Sequence, residues 1–144
     1  MNNVVVTVVG TQRDAQQEEV RIELITVGHY YEKNGVHYIL YNDSEISGLE
    51  GTKTMLKVYN DYVVLVRVGS VTHRQEFRLG TKSHSTYVTP YVSMNMGILT
   101  QNIDLALDRL VKDIYIRYEL EINGQWQSTN TLSISVREDI KSGY

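Results

Sequence analysis

In a chain without cysteine, histidine is the side chain best suited to act as a general base or a metal ligand, and this sequence has four histidines and no cysteine. His29, His37, His73 and His84 show neither the His-x-His nor the His-x-x-x-His spacing that aims two imidazoles at one ion, so no metal is expected. His73 shares a strand face with Val71, Gln75 and Phe77 and reads as a lining residue. Serines are plentiful, yet no Gly-x-Ser-x-Gly elbow is present to present one as a nucleophile. Gly48 and Gly51 bracket Leu49-Glu50, but no Lys-Ser or Lys-Thr pair follows the second glycine at the spacing a phosphate cradle requires, since Thr52 separates Gly51 from Lys53-Thr54, and no helix follows; the segment reads as a turn. No cofactor is expected, and an enzyme lacking any local motif is the third-ranked reading.

Arg67 and the tyrosines remain. Taking Asn60-Asp61 as a two-residue loop pairs Val58 with Val63, Leu56 with Leu65 and Thr54 with Arg67, which aims Arg67 at the same interior as four aliphatic side chains. A buried guanidinium needs a partner. The favoured reading ties it to Thr54 and a carboxylate such as Glu50 or Glu76; the alternative has it face a cavity and hold an anionic ligand group. The chain has eleven tyrosines against one phenylalanine and one tryptophan. Read as one strand, Thr86 to Thr100 carries Tyr87, Thr89, Tyr91, Ser93 and Asn95 on one face and Val88, Val92, Met94, Met96 and Ile98 on the other, and which face points inward is open. Arg67, Thr54, Tyr87, Thr89 and Tyr91 are therefore the candidate ligand-binding residues.

The elements that must position them are strands. From Ile114 to Ile122, Ile114, Ile116, Tyr118, Leu120 and Ile122 fall on one face and Tyr115, Arg117, Glu119 and Glu121 on the other, a period of two that a helix does not give. Similar alternation predicts strands at Val4 to Thr11, Glu18 to Tyr31, Val36 to Asp43, Thr52 to Tyr59, Tyr62 to Val68, Val71 to Leu79, Thr86 to Thr100, Ile114 to Ile122 and Trp126 to Val136. The piece from Gln101 to Lys112 fits both a strand and a short helix. At Asn123-Gly124 a three-residue loop with Gly124 left-handed pairs Leu120 with Trp126 and Ile114 with Leu132, and is preferred because it gathers the large side chains. At Asn34-Gly35 loops of either length leave an acceptable core. About eight or nine long, mostly sequential strands favour an all-β, antiparallel up-and-down barrel over a two-sheet sandwich, since closure hides the edges. Leu56, Val58, Val63, Leu65, Ile114, Ile116, Leu120, Leu132 and Ile134 are expected to point inward.

Composition bounds the function. The chain of 144 residues is expected to be one domain, residues 1–144, and its net charge of −3 argues against a nucleic-acid partner. Arg74 and Arg78 in the densest basic stretch read as a wet strand face. The Val4 to Val9 run lacks a basic flank or a cleavage site, so no signal peptide is expected; without an apolar run long enough for a membrane helix, a cytoplasmic protein with no membrane partner is. Asn42-Asp43-Ser44 fits a glycosylation sequon that would then be irrelevant.

Gly51-Thr52-Lys53-Thr54-Met55-Leu56-Lys57-Val58, Leu65-Val66-Arg67-Val68-Gly69, Phe77, Tyr87-Val88-Thr89-Pro90-Tyr91 and Thr100, with Tyr118, Leu120, Asn130 and Leu132 in the last hairpin, together resemble the YwiB-like family of uncharacterised bacterial proteins. The resemblance spans nearly the whole chain and implies a lipocalin-like, calycin-type barrel with no assigned activity. Val92 stands where that family usually has glycine, and the Gly-x-Trp signature of secreted lipocalins is missing, since Trp126 lies in the last hairpin. The leading expectation is a non-enzymatic barrel for a small apolar, amphipathic or anionic ligand; the runner-up is a filled barrel serving as an interaction module, including as a homodimer. An open mouth lined by Arg67 and tyrosines favours the first.

Overall fold

The computed structural model describes residues 2–43, 50–108 and 111–139. They form ten antiparallel strands: β1 (Asn2–Arg13), β2 (Glu19–Lys33), β3 (Val36–Asn42), β4 (Thr52–Val58), β5 (Tyr62–Gly69), β6 (His73–Arg78), β7 (Lys82–Val88), β8 (Ser93–Leu107), β9 (Val111–Ile122) and β10 (Gln125–Glu138). Their order in the sheet is β6-β5-β4-β3-β2-β1-β10-β9-β8-β7. Every ladder joins sequence neighbours except β1 with β10. The sheet curls until its edge strands β6 and β7 meet, where a single bridge, Thr72 with Val88, and side-chain bonds replace a ladder. The barrel is nearly closed.

The interior follows the alternation in the sequence. Leu56, Val58, Val63, Leu65, Ile114, Ile116, Leu120 and Ile134 are buried in one core with Ile39, Phe77 and Ile98, and Leu132 packs against it. The Asn60-Asp61 register is as expected, with Val58 opposite Val63, Leu56 opposite Leu65 and Thr54 opposite Arg67. At Asn34-Gly35 the loop has two residues, pairing Lys33 with Val36. His29 is therefore exposed on the outside, while His37 points inward.

Three expectations are corrected. Thr86 to Thr100 is not one strand: the chain reverses at Thr89-Pro90-Tyr91-Val92, so Tyr87 faces Met94 and Val88 faces Ser93. Pro90 has no N–H to give a ladder, and the Thr89 hydroxyl accepts the N–H groups of Tyr91 and Val92, which makes the segment a capped turn. Strands β7 and β8 raise the count to ten, and Gln101 to Leu107 continues β8 as strand rather than helix; residues 109–110 of the Gln101 to Lys112 piece lie outside the described residues, as do Ser44 of the sequon and Gly48. The third correction concerns the last hairpin, where Asn123 and Gly124 form a two-residue turn with φ of 51° and 81°. The extra residue is absorbed further on, as a bulge between Trp126 and Ser128, so Leu120 faces Ser128 and Ile114 faces Ile134. A bulge within the strand restores the apolar face as well as a longer loop does, and it frees Trp126 to lie outside, its Nε1–H donating to Glu119 at 3.0 Å.

A Cβ on Gly124 would meet nothing within 4 Å, so the demand at this position comes from its backbone angle alone. Gly124→Val is expected to cost about 1–3 kcal/mol, the strain of a β-branched residue held at positive φ. Gln125→Val should stay within about 0.5 kcal/mol, and urea denaturation of the two variants side by side measures the difference.

Candidate functional site

Strand register sets a polar belt across one end of the core. Tyr41 on β3, Thr54 on β4, Arg67 on β5 and His73 on β6 are directly opposite one another in sequence of strands, all facing inward. Across the seam His73 Nε2 lies 2.9 Å from Ser85 Oγ on β7, and its ring meets Tyr87 edge-on at 5.2 Å. On the far wall Thr100, Tyr118 and Asn130 are opposite one another on β8, β9 and β10.

Above this belt opens a cavity of about 300 Å³. Its polar side carries Arg67, Tyr87, Tyr41, Tyr118, Asn130 and Asp43. The opposite side is mainly apolar, with Val8, Leu132 and the inner face of β2 at Val20, Ile22 and Leu24 beside Thr11, Gln12 and Thr131. One wall can hold an oxyanion and hydroxyl-bonding groups while the other covers a hydrocarbon surface.

Arg67 is the cation that lines this cavity. Its Nε is buried without a hydrogen-bond partner, and among the described residues no carboxylate forms an ion pair with it. The expected tie is therefore not made: Glu76 bonds Arg78 on the outside at 2.8 Å, Glu50 is exposed, and the Thr54 hydroxyl donates instead to the Asp43 carboxylate. The guanidinium and burial act together on its neighbours. Burial first, then Arg67, lowers His73 to about 4, against a weaker upward pull from Gln75. Burial and the Asp43 carboxylate push the Tyr41 phenol up to about 12, and burial raises Tyr118, so both hydroxyls stay protonated donors.

The belt's bonds also decide what His73 can do. Gln75 Nε2–H donates to the Glu76 carbonyl at 2.9 Å, leaving Oε1 to accept the Ser85 hydroxyl proton at 2.7 Å. Ser85 can then only accept from His73, which places the imidazole proton on Nε2. The Ser–His contact thus runs opposite to that of an activated nucleophile.

Of the sequence-predicted residues, Arg67 and Tyr87 line the cavity and Thr54 lies buried behind Arg67. Thr89 caps the β7–β8 turn, and Tyr91 at its tip is 96 % exposed; the structure does not bring them to the cavity. Tyr41 and Asp43 were missed. The sequence signal for them was the alternation of Tyr41 with Ile39 on β3, but the register of β3 against β4 runs through a long connection that no turn rule fixes.

A larger depression of about 650 Å³ on the outer face of β2 to β5 is lined by the apolar Val27, Leu40, Met55, Val66 and Val68 together with the polar Asn3, His29, Lys53 and Asp139. At the other end of the barrel the Tyr30 hydroxyl meets His37 Nδ1 at 2.6 Å, and Lys112 Nζ sits 4.2 Å over the Tyr30 ring. That cluster is satisfied internally. Among the described residues no group of three His, Asp or Glu side chains could hold a metal, and no helix is long and apolar enough to cross a membrane.

The model of the domain of unknown function DUF1934 matches residues 6–134. The chain belongs to that family. A curated relative, the uncharacterised β-barrel protein YwiB of Bacillus subtilis (strain 168), is 27 % identical over 122 residues, covering 85 % of this chain and 84 % of YwiB. The crystal structure of the ywiB protein from Bacillus subtilis superposes with a TM-score of 0.86 at 23 % identity, over 96 % of this chain and 92 % of that one. The likeness to YwiB extends to the β-barrel as a whole and carries no activity with it.

Proposed function

We propose that this DUF1934 protein is a non-enzymatic, lipocalin-like binding barrel of the cytoplasm that takes a small amphipathic anion into the cavity above Arg67. The observation that carries the reading is Arg67 itself: its Nε is buried without a hydrogen-bond partner, it makes no ion pair among the described residues, and three tyrosines and an apolar surface line the same cavity. Burying a guanidinium N–H without a partner is unfavourable, and a ligand carboxylate, sulfonate or phosphate is the group that offsets it. The apolar wall at Val20, Ile22 and Leu24 supplies the surface for a hydrocarbon body. Ser85 and His73 have the wrong hydrogen-bond polarity for acyl transfer, which favours binding over catalysis.

The test uses 1-anilinonaphthalene-8-sulfonate, an aromatic anion, with decanoate and decanol as competitors. The wild-type protein is expected to enhance probe fluorescence at one site, and decanoate should displace the probe at least about tenfold better than decanol, a difference of about 1.4 kcal/mol. Arg67→Met should abolish both effects while changing stability by less than about 1 kcal/mol, because no carboxylate is stranded when the guanidinium is removed. Probe binding that is indifferent to Arg67→Met would overturn the reading. So would a loss of about 3 kcal/mol or more in the variant, the mark of a structural ion pair.

A further inference from the structure

Strand β2 is paired on one side along nearly its whole length, Glu19 to Tyr30, by β1. On its other side β3 pairs it only from Gly28 to Lys33. From Glu19 to Val27 that edge has no strand against it among the described residues. Along this same stretch four large apolar side chains are exposed: Val20 by 58 %, Ile22 by 39 %, Ile25 by 64 % and Val27 by 66 %. Folded proteins blunt a free edge with lysine, proline or a bulge. The segment Glu19-Val20-Arg21-Ile22-Glu23-Leu24-Ile25-Thr26-Val27 has neither lysine nor proline, and its register against β1 runs without a break.

We propose that this edge pairs with its own copy, joining two barrels into a two-fold dimer centred on Ile22. The charge pattern selects the occupant, and charge with strand length selects the register: centring on Val20 also sets Glu19 opposite the partner's Arg21, but β2 begins at Glu19 and would overlap its copy over only three residues. A two-fold axis normal to the sheet keeps inner face beside inner face, so only registers centred on a residue are available. Centring on Arg21 sets that guanidinium against its copy and Glu19 against Glu23. Centring on Glu23 sets two carboxylates face to face. Centring on Ile22 places Arg21 opposite the partner's Glu23, and by symmetry Glu23 opposite the partner's Arg21.

The inner face then packs Ile22 on Ile22 and Val20 on Leu24, which covers two of the exposed apolar side chains. Within one chain Arg21 and Glu23 already lie on the same outer face with their charged ends 3.8 Å apart, so the cross-dimer pairing needs no change of face. Backbone bonds along the edge supply the affinity and the charges supply the register. Because Ile22 also belongs to the cavity wall, the axis passes beside the mouth and the two cavities flank it.

Sedimentation equilibrium of the purified chain and a charge-swap cycle test this. The wild-type protein is expected to be a dimer at micromolar concentration. Arg21→Glu and Glu23→Arg should each weaken the dimer by at least about tenfold, since each opposes like charges twice across the axis. The double variant Arg21→Glu with Glu23→Arg should restore it, which also shows that the single variants did not merely misfold. Ile22→Lys, with two ammonium groups meeting on the axis, should leave only monomer. A monomeric wild-type protein overturns the proposal, as does a dimer that survives all of these substitutions unchanged.

Discussion

Replacing Ile116 by alanine is expected to lower the unfolding free energy by about 2–5 kcal/mol, toward the upper end because its surroundings are closed. Ile116 is fully buried, lies opposite Leu132 on β10 and Ile103 on β8, and has Ile114 and Tyr118 on the same face to either side. Strands stitched into ladders on both edges cannot collapse into the void, so the lost transfer free energy and the cavity both count. Arg117→Ala, one residue along on the exposed outer face, should cost less than about 0.5 kcal/mol. Urea titrations with equal slopes measure the contrast, and equal costs at the two positions would mean that β9 is turned over.

A second large effect is expected from acid. His73 is neutral in the folded protein down to about 4, against an ordinary value of 6.5 for an exposed histidine. Above 6.5 both folded and unfolded chains carry it uncharged, and its contribution to stability is fully present. As the pH falls from 6.5 toward 4 the unfolded chain takes up the proton first, so stability drains away across that window by at most about 3 kcal/mol. Below it this residue has no further effect. His73→Leu should flatten the curve by that amount between pH 6.5 and 4, while the part due to carboxylates stays. An unchanged pH profile in the variant would show that the imidazole is solvated and that Arg67 does not act on it.

Much of this architecture is legible in the residues because face alternation is a local property. Leu56, Val63, Ile114 and Leu120 each sit two positions from another apolar residue, and their burial follows without knowledge of distant strands. The register at Asn60-Asp61 is equally local. The reading ran out where the chain solves a local problem in more than one way. Trp126 could reach the core through a longer loop or leave it through a bulge, and only the satisfaction of its N–H by Glu119 decides for the bulge. Thr89 and Tyr91 share parity with Tyr87 across a turn that preserves alternation, so the pattern continues through a reversal of the chain. The cavity itself was half legible. Arg67 and Tyr87 are visible from their strands, but their neighbours Tyr41, Asp43 and Asn130 come from strands far away in sequence, and no periodicity reports which of these meet.

The order of strands has a bearing on how the molecule is made. The ladder of β1 with β10, from Val4 opposite Glu138 to Arg13 opposite Thr129, lies in the middle of the sheet although it joins the two ends of the described chain. Hairpins β2–β3, β4–β5 and β8–β9 can each form from neighbouring residues within microseconds. The central ladder must wait until nearly the whole sequence has been looped back on itself, the slowest kind of contact to close. During synthesis on the ribosome β1 emerges before β2 and its partner β10 after β9, so one edge of Val4 to Val9 stays bare while the eight strands between them are made. That interval is when a nascent chain of this topology is most exposed to pairing with a neighbour, and when a chaperone would have most to protect.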